Sequence, residues 1–239
     1  MSNAIVVGAS SGLGREIALR LSQQGYRIGL VARRGDLLDE VRSEIAGPAY
    51  VRAIDVTRNE EAMALFQSLI DEMHGVDLVV VAAGMCCSNL DLDWETEKRT
   101  IDLNVGGFVA IANVAVKHFC ARGSGHLVGI SSIAALRGSG GVPAYAASKA
   151  FMSNYLDGLR QKFSKMALPI TITNIEPGLI DTGGEWGETS FWVASTRKAA
   201  SQIVAAIARR RQHAYITRRW RAVAWLLRVM PNYVYDRYY

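Results

Sequence analysis

Short β-branched runs and amphipathic helical stretches alternate along nearly the whole chain, and few architectures accept that pattern. Residues 3–8 form an apolar run ending at Gly8, and residues 14–24 carry Ile17, Ala18 and Leu21 at helical spacing before Gly25. Strands are expected over 26–32, 49–54 and 77–83, with helices over 36–46 and 59–74 between them. The run Leu78-Val79-Val80-Val81 has no polar alternation. Such a strand is covered on both faces, as in parallel sheets flanked by helices. The second half continues with two helical stretches in 92–122, a strand over 125–131 and a helix over 143–165 that opens on Pro143. A strand over 170–176, a helix over 196–211 and a short strand over 213–217 follow. Repeated βα units wind by right-handed crossovers into one sheet. The expected fold is therefore α/β: a three-layer, doubly wound parallel sheet of about seven strands, a Rossmann fold over residues 1–217. Residues 218–239 follow it as a basic, aromatic tail. In such sheets ligands bind beyond the carboxyl ends of the strands.

Composition narrows the setting. Half of the residues are hydrophobic and 21% are charged, a globular balance. Charge or glycine interrupts the apolar runs short of the roughly 20 residues that a membrane span needs. The first residues show no charged n-region or long apolar core, so no secretory signal is expected. Three cysteines, with Cys86 and Cys87 adjacent, fit neither a disulfide framework nor metal-ligand spacing. A reduced, cytoplasmic protein without a metal is expected. The net charge of +5 is uneven, because residues 209–239 hold eight arginines and one acid, Asp236. A nucleic-acid binder carries its basic charge on a folded reading surface, and here the excess is confined to the tail.

The turn after the first strand reads Gly8-Ala9-Ser10-Ser11-Gly12-Leu13-Gly14 and leads into a helix. Glycines permit a tight turn and close approach to a pyrophosphate, and a helix N-terminus offers free N–H groups. Without a closing Lys-Ser/Thr it is not a P-loop. The second strand ends Ala32-Arg33-Arg34. An acid at that tip would hold a ribose 2′-hydroxyl, whereas arginine suits a 2′-phosphate. NADP is thus favoured over NAD, with Asp36 read as the cap of the following helix.

These features, in this order, resemble the short-chain dehydrogenase/reductase family in its compact single-domain branch, over roughly residues 3–217. Gly8, Gly12 and Gly14 match its glycine motif. Asp55 and Val56 match its adenine-contacting pair, and Asn104 in Leu103-Asn104-Val105 its helix asparagine. Ser132 stands thirteen residues before Tyr145, and Tyr145 with Lys149 matches Y-x-x-x-K. Residues 177–182, Pro177-Gly178-Leu179-Ile180-Asp181-Thr182, match its P-G-x-I-x-T segment. Two supporting positions depart from the pattern. Val7 replaces a frequent threonine, and Val81-Ala82-Ala83-Gly84 stands where Asn-Asn-Ala-Gly is common.

The resemblance implies a cofactor cradle of Gly8, Ser10, Ser11, Gly12, Leu13, Gly14, Arg33 and Arg34. Asp55, Val56, Ala82, Ala83, Gly84, Tyr145, Lys149, Pro177 and Gly178 continue it, with Ile180 and Thr182 toward the nicotinamide carboxamide. It implies catalysis by Asn104, Ser132, Tyr145 and Lys149. Tyr145 and Lys149, four apart on a helix, share a face. A nearby ammonium and an oxidised nicotinamide would favour the phenolate and lower the phenol from its reference near ~10. Ser132 would hydrogen bond the substrate oxygen, Lys149 the nicotinamide ribose, and Asn104 a water that extends a proton relay from Lys149. The activity implied is NADP-dependent interconversion of an alcohol and a carbonyl compound, in a homodimer or homotetramer. A non-catalytic NADP-binding redox sensor is the competing reading, and a nucleic-acid binder a weaker one.

Gly183-Gly184 and the aromatics Trp186, Phe191 and Trp192 read either as a lid over an apolar substrate or as loop packing. Cys87 could border the pocket, though a buried structural thiol is the plainer reading. Residues 217–231 form an amphipathic pattern with Trp220, Val223, Leu227 and Met230 on one face and Arg221 and Arg228 on another. Such a helix can lie on an anionic membrane through 218–230 or pack against protein.

Overall fold

The computed structural model describes residues 1–181 and 192–238. Its main sheet has seven parallel strands in the order β3-β2-β1-β4-β5-β6-β9. The strands are β1 (Asn3–Val7), β2 (Arg27–Ala32), β3 (Ala49–Ala53), β4 (Leu78–Val81), β5 (Gly125–Ile130), β6 (Ile170–Pro177) and β9 (His213–Ile216). A two-residue ladder pairs β7 (Ile180–Asp181) with β8 (Ala194–Ser195). The helices are α1 (Gly12–Gln23), α2 (Gly35–Ser43), α3 (Asn59–Glu72), α4 (Trp94–Ile101), α5 (Phe108–Arg122), α6 (Pro143–Lys165) and α7 (Thr196–Ala208). Two more, α8 (Trp220–Val229) and α9 (Asn232–Tyr238), close the chain. This is the doubly wound Rossmann architecture expected from the alternation.

The sheet separates two cores because side chains alternate along each strand. On β1, Ala4 and Val6 face one core with Ile17, Leu21, Ile203 and Ile207 of α1 and α7. Ile5 and Val7 face the other, with Phe66, Phe108, Phe119 and Leu156 of α3, α5 and α6. All four residues Leu78–Val81 of β4 are buried, as unbroken apolarity requires of a strand covered on both sides. His126 of β5 is buried too. Its Nε2 lies 2.7 Å from the Thr173 hydroxyl, whose own proton goes to the Arg211 carbonyl at 2.5 Å. Nε2 is therefore the donor, and burial pulls the imidazole down to about 4, so it is neutral.

Three local details differ from expectation. The cap position of α2 is Arg34, so Asp36 sits inside the first turn, where a negative charge suits the positive helix end. The two helical stretches in 92–122 join through a π-turn, Asp102–Gly107. Within the joined run Trp94–Arg122, 29 residues long, an 18-residue window reaches a mean hydropathy of 1.3, enough for a membrane span by length and composition. Half of that apolar window is buried against the rest of the protein. Lastly, residues 232–238, where the pattern suggested no element, form α9.

Candidate active site

The strand order switches from one side of β1 to the other between β3 and β4, and the crevice at such a switch point, here between β1 and β4, is where open α/β sheets hold ligands. A cleft of about 460 Å³ opens there. Its floor begins at Gly8, which has φ +91°, a left-handed value that glycine tolerates. A Cβ at Gly8 would fall 2.6 Å from the Ala83 backbone nitrogen, and one at Gly14 would fall 2.1 Å from the Gly8 carbonyl oxygen. Backbone meets backbone at both positions, and α1 starts hard against the turn. Gly8 and Ala9 both donate N–H to the Val31 carbonyl, at 2.7 and 3.1 Å, tying the turn to β2.

Ser10, Ser11, Gly12, Leu13, Arg33, Arg34, Val56, Ala82, Ala83, Gly84, Pro177, Gly178 and Ile180 line the cleft with those glycines, and so do Ser132, Tyr145 and Lys149. The Arg34 guanidinium lies 3.4 Å from both the Ser10 and Ser11 hydroxyls, so a cation and two hydroxyls meet beside the glycine turn. Asp55 does not line the cleft. Its Oδ1 accepts from the Thr57 N–H at 3.1 Å and hydroxyl at 2.8 Å. Burial pushes the Asp55 carboxyl up, but those hydrogen bonds with Arg33 and Arg58 outweigh it and hold it below the usual carboxylate value. Thr182 and the loop aromatics Trp186 and Phe191 lie outside the described residues. Trp192 is described. Its ring stands edge-on to Trp220 at 6.5 Å and beneath the Arg219 guanidinium at 5.0 Å.

At the other end of the cleft, Ser132 caps the short 3-10 turn Ile133–Leu136, its Oγ accepting from the Ala134 N–H at 3.1 Å. The same hydroxyl hydrogen bonds the Tyr145 phenol. Lys149 lies one turn along α6, almost completely buried, its Nζ 5.7 Å from the Tyr145 ring centre. That ammonium donates to the Ile130 carbonyl at 2.9 Å. A polar chain fixes the helix behind it. The Ser131 hydroxyl donates to the Lys149 carbonyl at 2.8 Å and meets Ser153 at 2.9 Å, and Ser153 donates to Glu176 at 2.9 Å. Glu176 in turn pairs with His213 at 3.0 Å.

The acidities differ from the sequence expectation in one respect. Desolvation pushes the Tyr145 phenol up to about 12, against the Ser132 hydrogen bond that pulls it down. Desolvation also pulls Lys149 down to about 8. Within the protein alone, then, Tyr145 is a protonated acid, not a depressed phenol. The expected lowering counted the lysine's charge and left out the loss of water around the hydroxyl.

Asn104, completely buried, stands in the π-turn and does not line the cleft. Its Oδ1 accepts from the Met85 N–H, and its Nδ2 donates to the Met85 carbonyl, both at 2.9 Å. The second amide hydrogen goes to the Ser148 hydroxyl at 3.0 Å. The side chain thus braces the segment after β4 against α6. A Cβ at Gly84 would stand 3.2 Å from Lys149 Nζ and 3.3 Å from Asn104 Oδ1, which leaves little room for any other residue there. Sequence reasoning missed Met85, Cys86 and Leu103 as cleft residues, and also Val7, Ala32, Ile54, Ile130 and Ser131. Cys86, not Cys87, borders the cleft, and position after strand four was the only signal available.

A parallel sheet with a glycine turn at its switch point is the nucleotide-binding Rossmann architecture. Residues 2–190 match the family model for short chain dehydrogenases, and the chain belongs to the short-chain dehydrogenase/reductase family. It is 38% identical over 182 residues to an uncharacterised oxidoreductase of Myxococcus xanthus, covering 74% of this chain and 71% of that one. It is 36% identical over 187 residues to another of Mycobacterium tuberculosis, covering 74% and 73%. Among solved structures it is similar to a short-chain dehydrogenase from Sphingobium yanoikuyae in complex with NADPH. That likeness has a TM-score of 0.80 and 24% identity, over 93% of this chain and 92% of the other. A ketone-specific alcohol dehydrogenase from Comamonas testosteroni gives 0.79 and 22%, over 93% and 90%. At these identities the solved structures speak for the fold.

Proposed function

We propose that the protein is an NADP(H)-dependent oxidoreductase that interconverts a secondary alcohol and its carbonyl partner, with Tyr145 as general acid and base. One observation carries the reading: a single cleft joins the glycine turn and Arg33–Arg34 at one end to Ser132, Tyr145 and Lys149 at the other. The residues fit the cofactor. At Gly8 and Gly14 backbone meets backbone so closely that no Cβ fits, which holds the α1 N-terminus hard against the turn, and Arg34 with Ser10 and Ser11 supplies a cation and donors suited to a 2′-phosphate. Arg33 and Arg34 would hold that phosphate, and the α1 N-terminus the pyrophosphate. When bound, the nicotinamide supplies or accepts the hydride and, oxidised, adds a positive charge that favours the phenolate.

The chain's own residues manage the oxygen and the proton. In reduction, Ser132 donates a hydrogen bond to the carbonyl oxygen and steadies the growing negative charge. Tyr145 gives its phenolic proton to that oxygen, and a phenol pushed to about 12 holds a proton to give at neutral pH. In oxidation the alcohol proton returns to Tyr145. Lys149 faces the ring and orients the ribose. A relay through Asn104 would run by its backbone carbonyl, since both amide hydrogens are engaged. NADPH oxidation with a panel of ketones (cyclohexanone, acetophenone, 2-decanone) tests the reading. Turnover is expected with NADPH and at least about tenfold less with NADH, the factor worth about 1.4 kcal/mol. Binding of NADPH without turnover of any carbonyl compound would favour the redox sensor instead.

Members of this family typically form oligomers, and a homodimer or homotetramer is part of the proposal. Trp94, Ile101 and Phe151 lie exposed on α4 and α6, a face on which a second copy could pack, and the mass in solution decides it. The thiols of Cys86, Cys87 and Cys120 are all free, which supports a reduced, cytoplasmic setting. The outer face of α8 bears Trp225, 68% exposed, with Leu226 and Val229 among Arg218, Arg221 and Arg228. That combination supports peripheral contact with an anionic membrane. Co-sedimentation with phosphatidylserine vesicles is expected, and lost in Trp225→Glu. Binding that is absent in the parent, or unchanged by deleting residues 218–239, rules it out.

A further inference from the structure

Arg137 stands five residues after Ser132, at the end of the 3-10 turn that Ser132 caps. Its guanidinium spends its donors on the far end of the chain. Nε donates to the Leu227 carbonyl at 3.0 Å, Nη1 to Asn232 Oδ1 at 2.9 Å, and Nη2 to the Met230 carbonyl. Leu227 and Met230 lie at the C-terminal end of α8, where carbonyls lack partners within the helix and a cation is favoured. The guanidinium also stacks over the Tyr235 ring at 5.0 Å, and the Tyr235 hydroxyl donates back to the Gly138 carbonyl at 2.6 Å. One side chain of the Ser132 loop therefore gathers α8, the turn after it and α9.

The opposite end of α8 meets the other wall of the cleft. Trp220 is buried, and a Cβ at Gly178 would fall 2.1 Å from its indole. Gly178 donates its N–H to the Ile216 carbonyl at 2.6 Å, just before the segment that enters α8. α8 is thus wedged between the Ser132 turn and the Pro177–Gly178 turn. Ser132 itself is held by its cap bond, by Tyr145 and by Ala135, whose N–H reaches the Ser132 carbonyl at 3.0 Å.

We propose that Arg137 is a positioning residue for the reaction: by clasping the α8–α9 arm it fixes the 3-10 turn, and with it the Ser132 hydroxyl that faces Tyr145 and the substrate oxygen. The inference rests on the role of Ser132 proposed above. A displacement of about 1 Å in an oriented group can cost on the order of 100-fold in rate. Arg137→Ala should accordingly lower kcat about ten- to a hundredfold, with the Kd for NADPH changed less than twofold. Arg137→Lys, which keeps the charge and one donor direction, should recover part of the loss.

The test is a double-mutant cycle on the full chain, read as kcat, KM and NADPH Kd with whichever ketone of the panel is turned over fastest. In a Ser132→Ala background, Arg137→Ala should add less than about twofold, because the hydroxyl it positions is already gone. If Arg137→Ala lowers kcat by the same factor with and without Ser132, the residue acts on general integrity and the proposal fails. It fails equally if Arg137→Ala leaves kcat unchanged. A Ser132→Ala chain as active as the parent would overturn the Ser132 reading beneath it, a result the cycle separates from the other two. Should Arg137→Ala not fold, Arg137→Met keeps the aliphatic stem while removing every donor of the clasp, and the same criteria apply.

Discussion

Tyr145→Phe is expected to fold and bind NADPH as the parent does and to lose about 10²- to 10⁴-fold in kcat, the range that a positioned acid or base contributes. The substitution removes one hydroxyl from a partly exposed ring. Ser132 keeps its cap bond to Ala134, and Lys149 keeps its bond to Ile130, so the remaining site stays assembled. What disappears is the proton that must reach the carbonyl oxygen as the hydride reaches carbon. The pH profile gives a second check. Carbonyl reduction needs the protonated phenol, which the protein's own groups hold up to about 12, so the parent's reduction rate should not fall across neutral pH through this group. Alcohol oxidation needs the phenolate and should rise with pH, up to tenfold per unit below the phenol's pKa in the loaded enzyme. Lys149, at about 8 in the protein alone, loses its charge as pH climbs past that value, which weakens its support for the phenolate. Tyr145→Phe should remove the rise. A variant that keeps parental kcat and its slope would end the assignment of Tyr145.

The second large effect is expected from the opposite end of the cleft. Gly14→Ala adds one carbon that the fold can place only 2.1 Å from the Gly8 carbonyl oxygen and 2.8 Å from its carbon. Neither atom is a flexible side-chain end. Either α1 or the turn must move, and the turn is already pinned to Val31 by two hydrogen bonds. Overpacking of this kind costs about 1–3 kcal/mol. For a chain of this size that is a fall in Tm of several degrees, at roughly 2–4 °C per kcal/mol. The same shift moves the helix N–H groups away from a pyrophosphate, so NADPH affinity should drop by at least about tenfold. Gly158→Ala is the control. It lies within α6 with open space around its Cβ, and alanine is the better helix former. Equal Tm and Kd for Gly14→Ala and the parent would show that the close approach is not needed.

Much of this architecture was legible where local pattern and global packing agree. Pro143 opens α6 because its missing N–H is not needed in a first turn, and the end of α6 at Lys165 coincides with the last helically spaced residue. The sequence pattern carries α2 on to residue 46, three residues past its end at Ser43, because Ile45 continues the apolar spacing while the chain already turns toward β3. The β7–β8 ladder, two residues a side, is too short for any periodicity to show. In the site, Ser132, Tyr145 and Lys149 could be named from the family resemblance, but their acidities could not. Burial sets those values, and burial is a property of the packed chain. Arg137 gave no signal at all. Its partners lie 90 to 95 residues away, and two of them are backbone carbonyls that carry no sequence mark.

The π-turn at Asp102–Gly107 has a bearing on how this chain should be set against its relatives. Rings closed from residue i to i+5 accommodate one surplus residue within an otherwise regular helix. Excising that residue would rotate one half of the helix by about 100° against the other. Asn104 would swing off Met85 and Ser148, and Gly107 would leave Val56, whose methyl a Cβ at Gly107 would approach to 2.6 Å. A superposition that slips by one position here would keep α5 in phase with its counterpart while transposing every side chain of α4.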